Sequence, residues 1–282
     1  MENYVYVEER AKLVCEVNHM GSFVHFAILF PPDKSLLPEL RRHTNYAWCG
    51  YPSPTRSDTR RNSLNVSEEQ VRAGQAVYTR RSLRLYDFVV LGVTNHLIWN
   101  CPTQRLIEHY NKHVTANHLD VGVGTGYFLD HCRFPSQTPR IALSDVNQNS
   151  LAFAAQRIAR YTPETYLRNV LEPLCIDAAK FDSVGINYLL HCLPGTIESK
   201  TVTLDHLKTL MNPNAVLFGS TLLQNGVSRN WFARRLMDFY NKKGIFSNRH
   251  DALHGLQQAL SQRFQDVSVE TVGCAALFSG RM

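Results

Sequence analysis

A short apolar run followed by alternating glycines constrains the fold of this chain more than any other segment. Residues 118–122 have the composition of a buried strand, and Gly122, Gly124 and Gly126 continue from its end at every second position. Glycine lets the backbone adopt conformations closed to other residues and lets a bound molecule approach the main chain closely. The segment therefore predicts a βαβ unit with a small-molecule ligand over the turn after its first strand.

An acidic residue at the end of the next apolar run indicates what that ligand contains. Asp145 follows Ile141–Ser144 and comes about 20 residues after the glycine turn. In nucleotide-binding βαβ units, a carboxylate at this place accepts hydrogen bonds from ribose hydroxyls. The sequence therefore predicts a cofactor that contains a nucleoside.

The spacing of the glycines separates two kinds of nucleoside cofactor. A dinucleotide fingerprint places its last glycine three residues after Gly124, where this chain has Tyr127. An aromatic ring at that position would lie where the helix and the strand must pack closely. The chain instead has its third glycine one position earlier, and it has an acidic residue, Asp120, before the first.

The pattern Asp120-x-Gly122-x-Gly124-x-Gly126 resembles motif I of the class I S-adenosylmethionine (SAM)-dependent methyltransferases. SAM carries no phosphate, so its site needs close backbone approach and polar groups rather than an anion cradle. The resemblance implies that Asp120 lies near the methionine end of SAM. It also implies that Asp145 binds the ribose.

Two later segments extend the resemblance, which covers residues 75 to 282. Residues 168–174 resemble motif III, which implies that Asn169 and Val170 lie beside the adenine, although the family often has Asp where this chain has Asn169. Residues 181–195 resemble the motif IV strand and the turn after it. Asn187 is expected to line the cofactor there.

The order of apolar segments predicts an α/β fold. Strand-like runs occupy residues 118–122, 140–144, 165–170, 182–188 and 215–221, and helical patterns such as 150–161 and 203–211 separate them. A strand pair, 266–272 and 274–280, closes the chain. We expect a doubly wound, mostly parallel seven-stranded sheet with a C-terminal antiparallel strand, as in the Rossmann-like class I methyltransferases, together with an N-terminal extension.

The same reading predicts three parts of the chain: an N-terminal extension and flexible linker over 1–66, a helical lid segment over 67–112, and a SAM-binding catalytic domain over 113–282. Residues 11–17 and 23–30 have strand character, and Pro102 begins a helix. The first 50 residues could form a hairpin on the catalytic domain, the arm of a homodimer or an unpacked extension. These alternatives stay open.

Composition and the absence of certain motifs argue against several other classes of protein. An apolar fraction of 44% and a charged fraction of 19% are typical of a globular enzyme. No run approaches the ~20 apolar residues that span a bilayer, and no signal-peptide pattern is present, so a cytoplasmic protein without a membrane partner is expected. Seven cysteines without a CxxC pair, and no Asp/Asn cluster after the fourth strand, predict no metal.

Nucleic acid is also not an expected partner. The basic stretch within 53–63 is polar and contains no interleaved aromatic residues, which favours a linker over a nucleic-acid contact. Enzymes that methylate an amino group of a base often have Asn/Asp-Pro-Pro-Tyr/Phe after the fourth strand. This chain has Asn187-Tyr188-Leu189-Leu190 there.

Candidate residues for the reaction follow from what methyl transfer needs. The transfer is an in-line displacement, so positioning comes first, and a general base is needed only if the acceptor must lose a proton. His191, just past the fourth strand, is the candidate base, with a hydrogen-bonded structural role as the alternative. Candidate acceptor-binding residues in the lid segment, with helix packing as the alternative, are Tyr78, Tyr86, Asn95 and Trp99.

The sequence thus predicts a SAM-dependent methyltransferase that acts on a small-molecule acceptor, with secondary metabolism as the expected setting. One alternative is a non-catalytic protein that keeps the SAM fold as a scaffold or binding module. Another is an NAD(P)-dependent oxidoreductase. Oxygen, nitrogen, carbon and sulfur remain open as the methylated atom.

Overall fold

A seven-stranded mixed sheet is the framework of residues 87–282, the part of the chain that this computed structural model describes. Its strand order is β3-β2-β1-β4-β5-β7-β6. All neighbouring pairs from β3 to β5 are parallel, and β7 runs antiparallel to both β5 and β6. The predicted fold class is confirmed. The strands are β1 (Asn117–Val121), β2 (Arg140–Asp145), β3 (Glu164–Leu167), β4 (Phe181–Asn187), β5 (Met211–Leu222), β6 (Gln265–Val272) and β7 (Ala275–Arg281).

Eight α-helices connect or precede these strands in the described part, after a π-helix at Asp87–Thr94. Short 3-10 helices lie at Ala159–Tyr161 and Leu190–Cys192. The α-helices are α1 (Asn95–Leu97), α2 (Thr103–His113), α3 (Tyr127–His131), α4 (Gln148–Arg157), α5 (Ile197–Lys200), α6 (Val202–Lys208), α7 (Trp231–Lys242) and α8 (Leu253–Ser261). Within residues 87–282, no helix is long and apolar enough to cross a membrane.

Several predictions fall on residues that the structure does not describe. They are the strands predicted at 11–17 and 23–30, the boundary at residue 66, and the candidate acceptor residues Tyr78 and Tyr86. The division of the chain at 66 and 112 stays a prediction.

Local hydrogen bonds explain where the observed elements differ from the predicted ones. The strand predicted at 165–170 ends earlier, at Leu167, because the Asn169 side chain accepts a hydrogen bond from the Leu171 N–H and forms a turn. The helix predicted at 150–161 begins at Gln148. Asn147 caps it by accepting from two backbone N–H groups of its first turn.

Helices cover both faces of the sheet. The core on one face includes residues of α5, α6 and α8, for example Ile197, Leu207 and Leu260. The core on the other face includes residues of α2, α3 and α4, for example Tyr110 and Leu129. Because both faces are covered, the carboxyl ends of the parallel strands are the edge where such a sheet binds ligands.

A buried ion pair fixes the chain beyond β5. Lys200 Nζ lies 2.6 Å from Asp251 Oδ2, and neither side chain is more than 1% exposed. Lys200 also donates to the backbone carbonyl of Ser247. The Asp251 carbonyl accepts from the N–H groups of Gln224 and Asn225, which follow β5. This pair therefore fastens the α7–α8 loop to α5 and to the carboxyl end of β5.

We predict that Asp251→Asn lowers the free energy of unfolding by about 3–5 kcal/mol, because it leaves the Lys200 ammonium buried without a countercharge. Asp205→Asn is the matched control, since Asp205 pairs with Arg263 at a half-exposed carboxylate and its loss costs about 0–1 kcal/mol. Urea unfolding of both variants measures the difference. Equal losses in the two variants would contradict this role for the buried pair.

Candidate functional site

The three glycines after β1 all have positive φ angles, +73°, +52° and +71°, and a side chain at each would meet different surroundings. A Cβ on Gly122 would lie 2.7 Å from Leu189 Cδ1, in the turn after β4. A Cβ on Gly126 would lie 3.0 Å from Ala154 Cβ and 3.1 Å from its Cα, so helix α4 packs directly on this glycine. A Cβ on Gly124 would meet nothing within 4 Å. Open space at the middle glycine is what a ligand over the turn requires.

Asp145 ends β2 and turns its carboxyl group toward the glycine turn. Its Oδ1 accepts from the Asn147 N–H at 2.8 Å, and the N–H groups of Val123, Gly124 and Val146 also bond to it. Burial raises the pKa of this carboxyl to about 6, and the backbone donors oppose that rise. At neutral pH it is a carboxylate beside the open space at Gly124. Such a carboxylate can accept hydrogen bonds from ribose hydroxyls.

Asp120, the first residue of motif I, lies in a buried polar cluster. Its side chain bonds to the Tyr110 hydroxyl, which also lies 2.8 Å from Nε2 of His118. The other ring nitrogen of His118 lies 2.8 Å from Ser183 Oγ, and burial lowers the pKa of this histidine to about 3, so the ring is neutral. Burial raises the pKa of Asp120 to about 8. A cationic ligand group nearby would favour its charged form.

The motif III residues have local partners. Asn169 Nδ2 donates to Glu172 Oε1 at 2.9 Å, and its Oδ1 accepts from Leu171. Val170 is buried in the core, and its carbonyl lies 3.0 Å from Nδ1 of His206. An adenine contact from Asn169 and Val170 stays a prediction.

Asn187, the last residue of β4, has a buried donor without a partner. The side chain is 8% exposed, and its Oδ1 accepts from Ser220 Oγ at 3.2 Å. Its Nδ2 has no hydrogen-bond partner. A buried unpaired polar group costs about 1–3 kcal/mol. A contact between Asn187 and the cofactor stays a prediction.

Two of the predicted acceptor residues lie in the interior. Asn95 is fully buried, accepts from the Tyr188 hydroxyl at 3.1 Å and donates to Thr103 Oγ1 at 2.9 Å. Trp99 is 2% exposed and packs with Phe246 in a core cluster. This geometry favours the packing alternative for both residues over a contact with the acceptor.

His191 is also an interior residue. Its side chain is buried in the 3-10 helix after β4, and its Nδ1 accepts from the Leu222 N–H at 3.3 Å and lies 3.4 Å from Thr221 Oγ1. Its ring meets the edge of Phe246, with centroids 4.6 Å apart. Burial, and secondarily the charge of Lys200, lower the pKa of His191 to about 3. The geometry therefore favours the structural alternative over a general base.

Sequence reasoning missed Ser220. It pairs in register with Asn187 across β4 and β5 and is fully buried. The sequence signal that could have identified Ser220 is its position as a polar residue inside the apolar run 215–221. Its partner could be identified only once the register was known. Within residues 87–282, no three or more His, Cys, Asp or Glu side chains form a group that could hold a metal ion.

Comparisons with known proteins agree with this geometry. A methyltransferase-domain profile matches residues 119–217. Demethylluteothin O-methyltransferase from Streptomyces thioluteus is 41% identical over 214 residues, which are 76% of this chain and 93% of that protein. The physcion biosynthesis cluster O-methyltransferase from Aspergillus chevalieri is 37% identical over 207 residues, 73% of this chain and 93% of that protein.

The chain belongs to the class I SAM-dependent methyltransferases. The solved DhpI complex with S-adenosylhomocysteine (SAH) shares the fold, with a TM-score of 0.56 at 14% identity over 77% of this chain and 98% of that one. This chain is a methyltransferase that uses SAM and acts on a small-molecule acceptor. The oxidoreductase and scaffold alternatives gain no support from these comparisons.

Two alanine substitutions separate the roles of the glycines. We predict that Gly126→Ala lowers the free energy of unfolding by about 1–3 kcal/mol, because the new Cβ meets the α4 backbone. Gly124→Ala should cost only about 1 kcal/mol of stability, from its positive φ, yet weaken SAH binding at least about tenfold by filling the open space. Calorimetric titration and urea unfolding of both variants test this. SAH binding equal to wild type in Gly124→Ala would contradict it.

Proposed function

We propose that this chain transfers the methyl group of SAM to an oxygen atom of a small molecule in secondary metabolism. The observation that carries the proposal is its similarity, over most of both chains, to two relatives named as O-methyltransferases. One of them is named for a biosynthesis cluster.

The site geometry supports the division of labour that we propose around SAM. The glycine turn passes its backbone beside the cofactor, Asp145 accepts the ribose hydroxyls, and Asp120 lies near the methionine end. Asn169 and Val170 lie beside the adenine. When bound, SAM supplies an already activated methyl group. The protein then has to align the acceptor and exclude water.

Other parts of the proposal rest on the sequence. Tyr78 and Tyr86 are kept as acceptor-binding candidates in the lid segment. A cytoplasmic location, a possible homodimer, and the absence of nucleic-acid and membrane partners also remain predictions.

The direct test of function is incubation of the full chain with SAM and a panel of hydroxylated, amino and thiol acceptors. We expect methyl ethers, detected by mass spectrometry as a gain of one methyl group, and stoichiometric SAH. Asp145→Asn should lower the rate at limiting SAM. Methylation confined to nitrogen, carbon or sulfur would overturn the assignment of oxygen, and binding of NADH in place of SAH would overturn the cofactor.

Cofactor affinity should also depend on pH through Asp145. Ribose hydroxyls donate to the carboxylate form, and that form is lost as pH falls through the pKa of about 6. We predict that protonation of Asp145 raises the Kd for SAH about tenfold between pH 7 and one pH unit below that pKa. Titration calorimetry of wild type and Asp145→Asn measures this. A variant that shows the same pH dependence as wild type would contradict the role of Asp145.

A further inference from the structure

A chain of buried hydrogen bonds begins at the motif I acid and runs along β1. Asp120 bonds to the Tyr110 hydroxyl, which lies 2.8 Å from Nε2 of His118. Nδ1 of the same ring lies 2.8 Å from Ser183 Oγ, and that hydroxyl lies 2.9 Å from Thr115 Oγ1. Asp120 is 6% exposed, and Tyr110, His118 and Ser183 are fully buried. We call the five residues the β1 chain, whose buried members therefore bond to one another and not to bulk water.

A glycine in β4 makes room for the acid at the head of the β1 chain. Gly185 pairs in register with Asp120, and a Cβ on it would lie 2.8 Å from Asp120 Oδ1 and 3.1 Å from Cε1 of His118. The φ angle of Gly185 is not positive, so the backbone conformation does not require glycine here. The missing side chain instead lets the carboxyl group of Asp120 lie 4.0 Å from Nε2 of His118.

The far end of the β1 chain leaves one hydroxyl hydrogen with two possible acceptors. The Thr115 hydroxyl donates to the Asn117 carbonyl, and the Thr115 N–H donates to Ser183 Oγ, both at 3.0 Å. Because a carbonyl oxygen only accepts, the hydroxyl hydrogen of Thr115 is already used. The hydroxyl hydrogen of Ser183 can then go to Thr115 Oγ1 or to Nδ1 of His118. The tautomer of His118 decides between them, since Nδ1 either carries a hydrogen or accepts one.

The β1 chain therefore has two consistent directions, and the proton on Asp120 selects between them. When Asp120 is protonated, it donates to Tyr110, and Tyr110 donates to Nε2 of His118. The ring then carries its hydrogen on Nδ1 and donates to Ser183. When Asp120 is ionised, every bond reverses, so that Ser183 donates to Nδ1, Nε2–H donates to the Tyr110 oxygen, and the Tyr110 hydroxyl donates to the carboxylate. A hydrogen bond to a carboxylate is about twice as strong as a neutral one, so the second direction stabilises the charge.

Without a ligand, the surroundings of Asp120 favour the protonated direction. The titratable groups that face it are Tyr110 on α2, His118 on β1, Cys132 after α3 and Asp145 at the end of β2, and the facing residue of β4 is a glycine. Among the described residues, none of these groups is a cation, because burial keeps the His118 ring neutral and Asp145 opposes ionisation with its own negative charge. Burial raises the pKa of Asp120 to about 8, so about nine-tenths of this carboxyl is protonated at pH 7.

We propose that the β1 chain couples cofactor binding to the release of one proton, and that Tyr110, His118 and Ser183 are positioning residues that stabilise the ionised acid in the complex. The inference rests on the proposed function, which places Asp120 near the methionine end of SAM and therefore near its ammonium group. When that cation binds, Asp120 loses its proton to solvent, and Tyr110 and Ser183 turn their hydroxyls. His118 loses the hydrogen on Nδ1 and gains one on Nε2. One proton leaves the protein, and no other bond is made or broken.

The first test counts protons. SAH is titrated into the full chain by calorimetry at pH 7, in phosphate and in Tris, and the slope of the observed enthalpy against the ionisation enthalpy of the buffer gives the number of protons released. We expect about one proton, of which about 0.9 comes from Asp120 and about 0.1 from Asp145, whose pKa is about 6. Release of only about 0.1 proton would overturn the inference.

The second test reads the direction of the β1 chain. Long-range proton–nitrogen NMR of the histidine-labelled protein distinguishes the two neutral tautomers, and assignment through the backbone of residue 118 identifies the ring. We expect a hydrogen on Nδ1 of His118 in the free protein at pH 7 and on Nε2 in the SAH complex. The same tautomer in both states, or a doubly protonated ring in the complex, would overturn the reversal.

Tyr110→Phe tests the positioning role, because it keeps the ring that packs with Phe128 and Phe218 and removes only the hydroxyl. The carboxylate loses its donor, so we expect SAH to bind at least about tenfold more weakly at pH 7. The pKa of Asp120 should also rise by at least about one unit. At pH 9 the variant should then release at least about 0.4 proton more than wild type, a difference that the ligand's own amino group does not affect.

The matched control is Tyr240→Phe, which removes the hydroxyl of a tyrosine that packs on Phe246 in α7, outside the β1 chain. It should bind SAH and release protons as wild type does. Equal proton release by Tyr110→Phe and wild type at pH 9 would overturn the positioning role of Tyr110.

The outcomes separate this inference from the proposed function. Tight binding of SAH without proton release from Asp120 would overturn the inference and leave the cofactor site standing. Failure of SAH to bind would overturn the proposed function itself.

Discussion

The contact between the Asp145 carboxylate and the backbone N–H groups of the glycine turn joins the first two strands of the sheet at the ligand edge. It requires the turn to expose successive N–H groups, and the positive φ angles of its glycines allow this. It also requires α4 to approach closely, which Gly126 permits by presenting no Cβ to Ala154. The space at Gly124 stays open beside these contacts, and the cofactor occupies it in our account.

The carboxyl ends of β4 and β5 are also held together by side chains. Their register places Ser220 beside Asn187, and a hydrogen bond joins the two buried side chains. Polar side chains beneath this edge have hydrogen-bond or ion-pair partners. His191 accepts a hydrogen bond from the backbone of β5, and the Lys200–Asp251 ion pair holds the loop after α7. In our account, the titratable groups at this edge stabilise the fold or bind the cofactor. Catalysis by positioning of the substrates is consistent with that arrangement.

The sequence predicted the fold and the glycine turn better than the surroundings of the candidate reaction residues, and the reason is physical. Glycines in a turn and an acid after the next strand are local patterns, so the βαβ unit that contains Gly122 and Asp145 could be anticipated. The surroundings of His191, Asn95 and Trp99 depend on contacts between segments far apart in the chain. Their burial, and the pairing of Ser220 with Asn187, follow from strand register and helix packing, which short patterns do not encode.

A crystal structure of the full chain with SAH tests the central claim most directly. The account predicts the ribose hydroxyls within hydrogen-bond distance of the Asp145 carboxylate, the ligand over Gly124, and the glycine turn unchanged. SAH bound elsewhere, or bound at this edge with its ribose away from Asp145, would contradict the account.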